Sequence, residues 1–347
     1  MASKMKALVV VEGKTAKIQD IDVPKLGQGE ILVKAHYIAQ NPTDWKSMLS
    51  VHPGRILGCD FAGTVQDTNG SHWREGQRIA GFVFGSSTNP PRGAFAEYVA
   101  TEASLVYLIP DNVSYQDAAV IPLAFATAVQ AMFGRLKLPE PSKPAKTAFP
   151  FLINGGTSSV GQYAIQLGKL AGAFVIATGS SQNHELLKSL GADAVIDYKD
   201  PSWPEQVRKL THDGLEFAFD CIGENGTVEA VAKSLSPTKG GHIVTILAVD
   251  KIREKIENKN IKLESTIVYT VFGRPIKYGT FDNCGEPTPQ DKAMWEKYLT
   301  ILPELLSSGK IKPNKVRELG GFDTILTGFQ EQQESKVKAE KLVYKIS

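Results

Sequence analysis

Residues Phe151–Gly172 read FLINGGTSSVGQYAIQLGKLAG, and this stretch decides the fold of the 347-residue chain. The apolar run Phe151–Ile153 ends at the glycine pair Gly155-Gly156, and an amphipathic helix follows a turn rich in serine and threonine. A strand, a glycine turn and a helix in this order are typical of a dinucleotide-binding fold, because the turn and the helix N-terminus offer backbone N–H groups to a pyrophosphate.

The glycine pattern departs from the G-x-G-x-x-G fingerprint. Gly155 and Gly161 stand where a tight turn and close helix packing need glycine, whereas Ser158 and Ser159 fill the middle of the motif. Serines are small enough for close approach, and their hydroxyls can donate to phosphate. The alternative interpretation, an ordinary strand, turn and helix with serine caps, stays open at this point.

The rest of the chain alternates in a way that predicts an α/β protein. From residue 151 onward, apolar strand-like runs alternate with helical segments, which indicates a doubly wound parallel sheet. The expected strands are Phe151–Ile153, Phe174–Thr178, Ala194–Asp197, Phe217–Ile222, Ile243–Leu247 and Thr266–Tyr269. The expected helices are Val160–Leu170, Asn183–Leu190, Pro204–Thr211 and Thr227–Leu235.

The first 120 residues or so are β-rich, and the C-terminal tail returns to them. A helix is expected over Asp291–Ser308, and the apolar terminal strand Lys341–Ile346 needs a sheet to join, for which the N-terminal region is the natural host. A proline-rich segment, Pro139–Lys146, is expected to be an irregular insertion. We expect one domain over 1–121 and 275–347, and a nucleotide-binding domain over 122–274.

Composition narrows the classes of function. The net charge of +2 argues against a nucleic-acid or membrane-surface role, and no apolar run is as long as a membrane span. The cysteines Cys59, Cys221 and Cys284 are too few and too far apart for a disulfide framework or a four-cysteine zinc lobe. We expect a reduced, cytoplasmic compartment.

The end of the second strand of the fold predicts the cofactor. An acidic residue there bonds the ribose hydroxyls of NAD, but here Thr178 runs into Gly179–Asn183, which contains hydroxyl and amide groups and no acid. This favours NADP(H), whose extra phosphate needs donors. Ser180 or Ser181 can also serve simply as a cap of the next helix.

Several blocks together resemble the medium-chain dehydrogenase/reductase superfamily, in its zinc-independent quinone/enoyl reductase branch, over nearly the whole chain. The blocks are Asn41–Asp44, Gly58–Gly63, Gly76–Gly81, Gly93–Tyr98, Ala118–Pro122, Thr127-Ala128 and Gly191–Asp193. Further blocks make the chain look most like the enoyl reductases that work in trans with fungal polyketide synthases. These are Asp44–Lys46, Phe219–Ile222, Gly320–Asp323 and Ala339–Val343.

The resemblance implies a Rossmann domain, a GroES-like β-rich catalytic domain and bound NADPH. Catalytic roles fall on Lys46 and Thr127 as donors to the substrate oxygen, and on Asn41 and Asp44, which fix the loop. Cofactor contacts are implied for Thr43, Asp44, Trp45, Lys46, Gly155, Gly156, Thr157, Ser158, Ser159, Val160, Gly161, Ser180, Ser181, Gln182, Asn183, Tyr198, Ile246, Leu247, Lys338, Ala339 and Lys341. Substrate contacts are expected at Ala128, Thr270, Val271, Phe272, Gly273 and Arg274.

The implied reaction is transfer of hydride to the β-carbon of an α,β-unsaturated carbonyl, free or bound to a carrier. Zinc alcohol dehydrogenases carry a Cys ligand where this chain has Asn41, and a His-Glu pair where it has Cys59-Asp60, so we expect no zinc. Two alternatives stay open: a stand-alone quinone or aldehyde reductase, and an NADPH-binding protein without catalysis. The charged residues of the run Val249–Glu264 disfavour pairing of this sheet edge with the same edge of a second copy, which favours a monomer.

Overall fold

The computed structural model describes residues 4–88, 90–274 and 288–347. It divides into two compact units, Met1–Leu123 with Tyr269–Ser347, and Ala124–Val268. Cys284 and the expected start of the C-terminal domain segment at residue 275 lie outside the described residues. Within those ranges, no helix has both the length and the apolar character that crossing a membrane requires.

The elements follow in chain order. The N-terminal part contains β1 (Lys4–Val11), β2 (Thr15–Asp22), β3 (Glu30–Ala39), α1 (Pro42–Ser50), β4 (Asp60–Asp67), β5 (Arg78–Phe82), β6 (Tyr98–Glu102), β7 (Val106–Leu108) and α2 (Tyr115–Ala119). The middle contains α3 (Pro122–Val129), β8 (Pro150–Asn154), α4 (Ser159–Leu170), β9 (Phe174–Thr178), α5 (His184–Ser189), β10 (Ala194–Ile196), α6 (Trp203–Leu210), β11 (Phe217–Asp220), α7 (Thr227–Ser234), β12 (Gly241–Thr245), α8 (Asp250–Arg253) and β13 (Ile261–Ser265). The C-terminal part contains α9 (Pro289–Ser307), β14 (Lys315–Glu318), α10 (Ile325–Gln333) and β15 (Glu340–Lys345).

The first unit is built on a mixed sheet in the order β14-β15-β3-β4-β5-β7, and β6 also pairs with β3. The terminal strand β15 pairs antiparallel with β3, so that Val343 lies opposite Ala39. Leu342, Val343 and Tyr344 are buried there. The prediction that the apolar tail joins the N-terminal sheet is therefore confirmed, and the reason is burial of its side chains.

The second unit contains a parallel sheet in the order β10-β9-β8-β11-β12-β13. In order along the chain this is 3-2-1-4-5-6, the arrangement of doubly wound dinucleotide-binding folds. Strand order reverses between β8 and β11, which pair with Ile153 opposite Phe219. In such sheets ligands bind outside the carboxyl ends of the strands at this reversal, and the Gly155-Gly156 turn follows β8 directly.

The prediction for the sixth strand of this sheet was wrong. Thr266–Tyr269 is not a strand; β13 is Ile261–Ser265, inside the charged run, and it pairs parallel with β12. Its alternation explains the assignment, because Ile261 and Leu263 are buried while charged side chains alternate with them. Residues Val268–Phe272 form a 3-10 helix instead.

Two further differences concern local geometry. The alanine-containing run Leu123–Phe133 predicts one helix, but the α-helix ends at Val129 and a π-helix follows over Gln130–Arg135. Strands β2, β6 and β7 were not foreseen, because β2 is largely exposed and polar and the other two are only five and three residues long. Residues Pro139–Lys146 form neither helix nor strand, as expected for the proline-rich insertion.

Candidate functional site

Gly155 and Gly161 occupy positions that exclude larger residues. Gly155 has φ +77°, and a Cβ added to it lies 2.7 Å from the Ile222 side chain. A Cβ on Gly161 lies 2.3 Å from the carbonyl oxygen of Gly155, which cannot move as a side chain can. The turn therefore needs glycine at both ends of the motif, for backbone conformation at one and for close approach of α4 at the other.

Ser158 caps α4 as the alternative interpretation proposed. Its Oγ accepts a hydrogen bond of 3.0 Å from the Gly161 N–H, and its backbone is extended as an N-cap requires. Thr157, Ser159 and Val160 are partly exposed around it. Capping orders the first turn of a 12-residue helix whose N-terminus has the partial positive charge that attracts anions.

A buried polar network at the strand ends fixes the glycine turn. The Asn154 side chain donates a hydrogen bond of 2.9 Å to Asp220 and accepts one of 2.7 Å from the Thr178 hydroxyl. The Gly155 N–H donates a hydrogen bond of 3.0 Å to the same Thr178 hydroxyl. The carboxylate of Asp220 also accepts from Thr227, and burial raises its pKa against these hydrogen bonds. This network was not predicted from the sequence, although each of the apolar strands β8, β9 and β11 ends in one polar residue.

The segment after β9 carries the predicted hydroxyl and amide groups together with an acid that was not foreseen. Asn183 donates 3.0 Å to Ser180 Oγ, while Gln182 and Tyr198 are exposed. The Ser181 N–H donates a hydrogen bond of 3.1 Å to the carboxylate of Asp197, the residue that follows β10. A negative charge therefore lies beside Ser181, although none follows β9 itself.

The remaining candidates in the second unit differ in exposure. Ile246 and Leu247 follow β12 and are partly exposed, as a contact with a ligand requires. Thr127 lies on α3 and is 6% exposed, whereas Ala128 has no exposed surface. Ala128 therefore offers no exposed surface for the substrate contact that was predicted for it.

Helix α1 presents its first residues in two groups. Asn41 and Asp44 are buried, and the Asn41 N–H donates 2.6 Å to Asp44 Oδ2, which closes the N-terminal turn. Thr43, Trp45 and Lys46 are partly exposed, and the Lys46 ammonium lies 5.6 Å from the centre of the Trp45 ring. The buried pair thus forms a frame, and the cationic and hydroxyl side chains beside it keep access to solvent.

Lys341 is enclosed in an ion pair with Asp60. Its Nζ lies 2.6 Å from Asp60 Oδ2 and donates to the Val120 carbonyl oxygen, and its side chain is 2% exposed. Moving the ammonium out of this pair would leave a buried carboxylate without its cation. The cofactor contact expected of Lys341 stays a prediction. Its neighbours Lys338 and Ala339 are exposed and partly exposed.

Asp60 is the centre of the buried frame. Besides Lys341, it accepts 2.8 Å from the Asn41 side chain and 2.8 Å from the Leu123 N–H. The frame therefore connects α1, the start of β4 and the terminal strand β15 through one carboxylate. From the sequence, Asp60 was placed only within the Gly58–Gly63 block and at a position where zinc alcohol dehydrogenases carry part of a His-Glu pair.

A second group of polar side chains lies around the Tyr269 hydroxyl. Tyr269 OH lies 2.9 Å from Thr43 Oγ1 and 3.7 Å from the Cys59 sulfur. Burial raises the pKa of Asp44 to about 7 against the opposing Asn41 hydrogen bond. Burial likewise raises the pKa of both Cys59 and Tyr269 well above their usual values.

The expected substrate segment Thr270–Arg274 packs mostly inside its own unit. Thr270 is buried and bonded to Asp291, and Val271 and Phe272 are buried. Only Gly273 and Arg274 are accessible, and Arg274 lies near Glu102, with 3.7 Å between Nε and Oε1. The segment therefore offers its far end, and not its whole length, to a ligand.

The residues at the positions of a catalytic zinc site do not fit zinc. Asn41 presents an amide that is already bonded to Asp60, and Asp60 is neutralised by Lys341. Within the described ranges, no group of three or more His, Cys, Asp and Glu side chains is placed to hold a metal ion. A tetrahedral catalytic zinc site needs three such ligands, and the residues at these positions do not supply them.

The residues after β8 and β9 do fit a nicotinamide dinucleotide. Gly155 and Gly161 allow the tight turn and the close approach of α4, whose N-terminus is capped by Ser158. Ile246 and Leu247 lie at the carboxyl end of β12 in the same sheet. These are the elements that hold the pyrophosphate and the nicotinamide in doubly wound folds.

Comparison with known proteins agrees with this architecture. Residues 27–111 match the family model described as an alcohol dehydrogenase GroES-like domain, and residues 159–283 match the one described as a zinc-binding dehydrogenase. The chain is 34% identical over 352 residues to the trans-enoyl reductase ACTTS2 of Alternaria alternata, covering 98% of each protein. It is 33% identical to the trans-enoyl reductase thnE of Trichoderma harzianum, covering 95% of this chain and 92% of that protein.

A solved structure supports the fold. An alcohol dehydrogenase superfamily protein from Novosphingobium aromaticivorans superposes with a TM-score of 0.79 at 22% identity, covering 99% of this chain and 100% of that one. The predicted combination of a doubly wound parallel sheet and a GroES-like β-rich part is confirmed.

Proposed function

Because this chain belongs to the medium-chain dehydrogenase/reductase superfamily and is similar over its length to trans-enoyl reductases, we propose that it is an NADPH-dependent enoyl reductase. Its substrate class is an α,β-unsaturated carbonyl compound, and the double bond next to the carbonyl is reduced. The similarity to ACTTS2 over 98% of both chains carries the proposal, because it extends through α1 and the glycine turn alike.

The proposed chemistry assigns separate roles to separate residues. A bound reduced nicotinamide supplies a hydride to the β-carbon of the substrate. Negative charge then develops on the carbonyl oxygen, and Lys46 and Thr127 are the side chains that we propose stabilise it. Asn41 and Asp44 are positioning residues, since they are buried and order the first turn of α1.

Cofactor binding is proposed for both ends of the nucleotide. The turn residues Gly155–Gly161 and the N-terminus of α4 hold the pyrophosphate. Ser180, Ser181, Gln182, Asn183 and Tyr198 surround the adenosine phosphate, and their hydroxyl and amide groups favour NADPH over NADH. Asp197 works against this preference, because its carboxylate lies beside Ser181.

We propose that the chain acts without zinc and together with a protein partner. Lys341 and Asn41 engage Asp60, so the remaining donors do not make a zinc site. By resemblance to the fungal trans-acting reductases, we propose that the substrate is presented by a polyketide synthase and that the chain acts as a monomer. A small unsaturated thioester is then the simplest substitute for the carrier-bound substrate.

One panel of substrates tests the reaction type. The purified chain is mixed with NADPH and with a crotonyl thioester, an enal, a simple saturated aldehyde or a quinone, and NADPH oxidation is followed. We expect turnover of the thioester with formation of the saturated product. Reduction of the aldehyde to an alcohol, or of the quinone alone, replaces the proposal by the stand-alone reductase; NADPH binding with no turnover indicates a binding protein.

Lys46 provides the matched test of mechanism. Lys46→Met removes the cation and keeps an unbranched apolar stem, and we expect kcat to fall about 100-fold, which is typical for loss of one oxyanion donor. Lys46→Arg keeps the charge and is expected to retain a larger part of kcat. Equal kcat in all three proteins excludes Lys46 from stabilising the enolate oxygen.

A further inference from the structure

Gln40, the residue that follows β3, is a polar side chain enclosed in an apolar part of the first unit. It is 2% exposed, and the two residues before it, Ile38 and Ala39, have no exposed surface. The residues after it are Asn41 and the helix α1, which carries Lys46. A glutamine in such a place is costly unless its donors and its acceptor are bonded.

Both polar atoms of the Gln40 side chain have partners. Its Nε2 donates hydrogen bonds of 3.0 Å to the Gly328 carbonyl oxygen and 2.8 Å to the Gln332 side chain, both on α10. Its Oε1 accepts a hydrogen bond of 2.5 Å from the Tyr344 hydroxyl on β15. The Gln40 backbone N–H donates a hydrogen bond of 2.9 Å to the Leu342 carbonyl oxygen, also on β15. Gln40 therefore connects the entry to α1 with two C-terminal elements of the same unit.

Gly328 shows how closely α10 approaches this pair of side chains. A Cβ added to Gly328 lies 1.8 Å from the Tyr344 hydroxyl oxygen and 2.8 Å from Gln40 Oε1. Glycine inside a helix lowers the stability of that helix relative to alanine, and Gly328 lies inside α10. The contact of α10 with Gln40 and Tyr344 therefore requires glycine at this position.

The residue after Gln40 is connected to the same terminal strand. The Asn41 side chain donates a hydrogen bond of 2.8 Å to Asp60, whose carboxylate lies 2.6 Å from the Lys341 ammonium of β15. The Asn41 backbone closes the first turn of α1, since its N–H donates to Asp44 Oδ2 and its carbonyl oxygen accepts from the Asp44 N–H. Neither residue before α1 can move relative to β15 without losing hydrogen bonds.

Apolar packing fixes the orientation of α1 less well than this network. Met48 is buried in the core of the first unit, and Trp45 packs against that core. Apolar contacts are non-directional, so they keep a helix on a core and tolerate small rotations and shifts of it. Hydrogen bonds weaken steeply when their angle departs from linear, so a fully bonded network selects one orientation.

We propose that Gln40 and Tyr344 are positioning residues that fix the orientation of α1 and thereby place Lys46 for the reduction. The inference rests on the proposed function, in which Lys46 stabilises the charge on the substrate oxygen. Both side chains are enclosed, at 2% and 0% exposed, so they act through α1 and not on the substrate. A displacement of about 1 Å can lower a rate about 100-fold, so losing this network lowers kcat without removing a catalytic group.

The two partners can be made apolar together with little change of shape. Gln40→Met or Tyr344→Phe alone leaves one partner of their hydrogen bond unpaired, whereas the double variant replaces both by apolar groups of similar size. Removing both partners of a buried hydrogen bond is nearly neutral for stability, and removing one is not. Gln332 is partly exposed and can bond water instead of Gln40. We expect the double variant to unfold thermally close to the wild-type protein.

Hydrogen exchange of the cofactor-free protein measures the ordering of α1 without catalysis. Exchange is followed by mass spectrometry in a peptide that spans residues 42–50. We expect its amides to exchange at least about fivefold faster in Tyr344→Phe, because loss of a buried hydrogen bond eases local opening. Tyr107→Phe is the control, since Tyr107 is 1% exposed and its hydroxyl donates a hydrogen bond of 3.0 Å to the Ala118 carbonyl oxygen on α2. Unchanged exchange in Tyr344→Phe, or an equal increase in Tyr107→Phe, overturns the inference.

A double-mutant cycle tests whether the network acts through Lys46. We expect Gln40→Met combined with Tyr344→Phe to lower kcat for the crotonyl thioester about tenfold. In the Lys46→Met protein, the same two substitutions are expected to lower kcat less than about twofold, because the group that they place is already absent. A merely structural role lowers kcat by the same factor in both proteins, and that result overturns the inference.

The proposed function and this inference fail separately. If the wild-type chain does not reduce the thioester and exchange in residues 42–50 still responds to Tyr344→Phe, the proposed function falls together with the role of Lys46. Only the ordering of α1 by the network then remains. If the thioester is reduced and exchange does not respond, the inference falls and the proposed function stands.

Discussion

The Lys341 ammonium lies 2.6 Å from Asp60 Oδ2, and the two side chains are 2% and 0% exposed. Lys341 belongs to the terminal strand β15 and Asp60 begins β4, so the pair joins two distant parts of the chain inside one unit. Asn41 and Leu123 complete the carboxylate's hydrogen bonds. A buried ion pair offsets its desolvation only when its remaining lone pairs are satisfied in this way.

We predict that Lys341→Met destabilises the protein by about 3–5 kcal/mol, because it leaves a buried carboxylate without its cation. Denaturant unfolding of the cofactor-free protein at fixed pH gives the free energy. Lys338→Met is the control, since Lys338 is exposed nearby and its loss is expected to cost no more than about 0.5 kcal/mol. Similar losses in the two variants contradict the enclosed pair.

Asp44 makes stability depend on pH in a defined direction. Its pKa of about 7 lies above the usual 3.8, so the folded state binds more protons than the unfolded state between these values. The free energy of unfolding therefore falls as the pH rises from about 4 to about 7, by on the order of 4 kcal/mol at about 1.4 kcal/mol per pH unit.

Asp44→Asn is expected to remove that part of the decline, because an amide does not titrate and still accepts from the Asn41 N–H. Unfolding free energies of both proteins are measured at several pH values across this window. The prediction fails if the two pH profiles run parallel. Asp220 contributes a decline of the same sign in both proteins, since burial also raises its pKa.

Gly161→Ala is expected to weaken NADPH binding more than tenfold and to lower stability. The added Cβ lies 2.3 Å from the Gly155 carbonyl oxygen, so α4 must move away from the turn that we propose holds the pyrophosphate. Gly309→Ala is the control. Gly309 has φ +71°, and a Cβ added there meets no atom within 4 Å, so the substitution costs about 1 kcal/mol of backbone strain and no steric clash. Cofactor affinity by calorimetry should stay unchanged in the control, and loss in both variants assigns the effect to general destabilisation.

Asp197→Asn is expected to shift cofactor preference further toward NADPH, about two- to fivefold in the ratio of dissociation constants for NADH and NADPH, because it removes one negative charge near a partly exposed site. The amide oxygen of Asn can still accept from the Ser181 N–H, so the loop is expected to keep its course. The ratio is compared at low and high salt, since the effect should shrink with screening. An unchanged ratio at low salt places the phosphate away from Asp197.

Local patterning predicted the elements that follow from a single period. The strands around Phe151–Ile153 and Phe174–Thr178, the helix after the glycine turn and the terminal strand all lie near their predicted positions. Strand β13 was not predicted because it lies in a charged run. Ile261 and Leu263 are buried at alternate positions, but the charged residues beside them obscure this pattern in the sequence. The 3-10 helix over Val268–Phe272 replaced a predicted strand because its apolar residues pack inward on consecutive positions.

The amino-acid sequence by itself determined the parallel sheet, the turn glycines and the family blocks, since each depends on residues that are neighbours in the chain or recur with a fixed period. Only the tertiary structure decided which polar groups share an enclosed space. Lys341 meets Asp60 across 281 positions, and Tyr269 meets Thr43 across 226. Such pairs depend on how strands and helices pack, and the free energy that selects them comes from burial, which no local pattern of residues records.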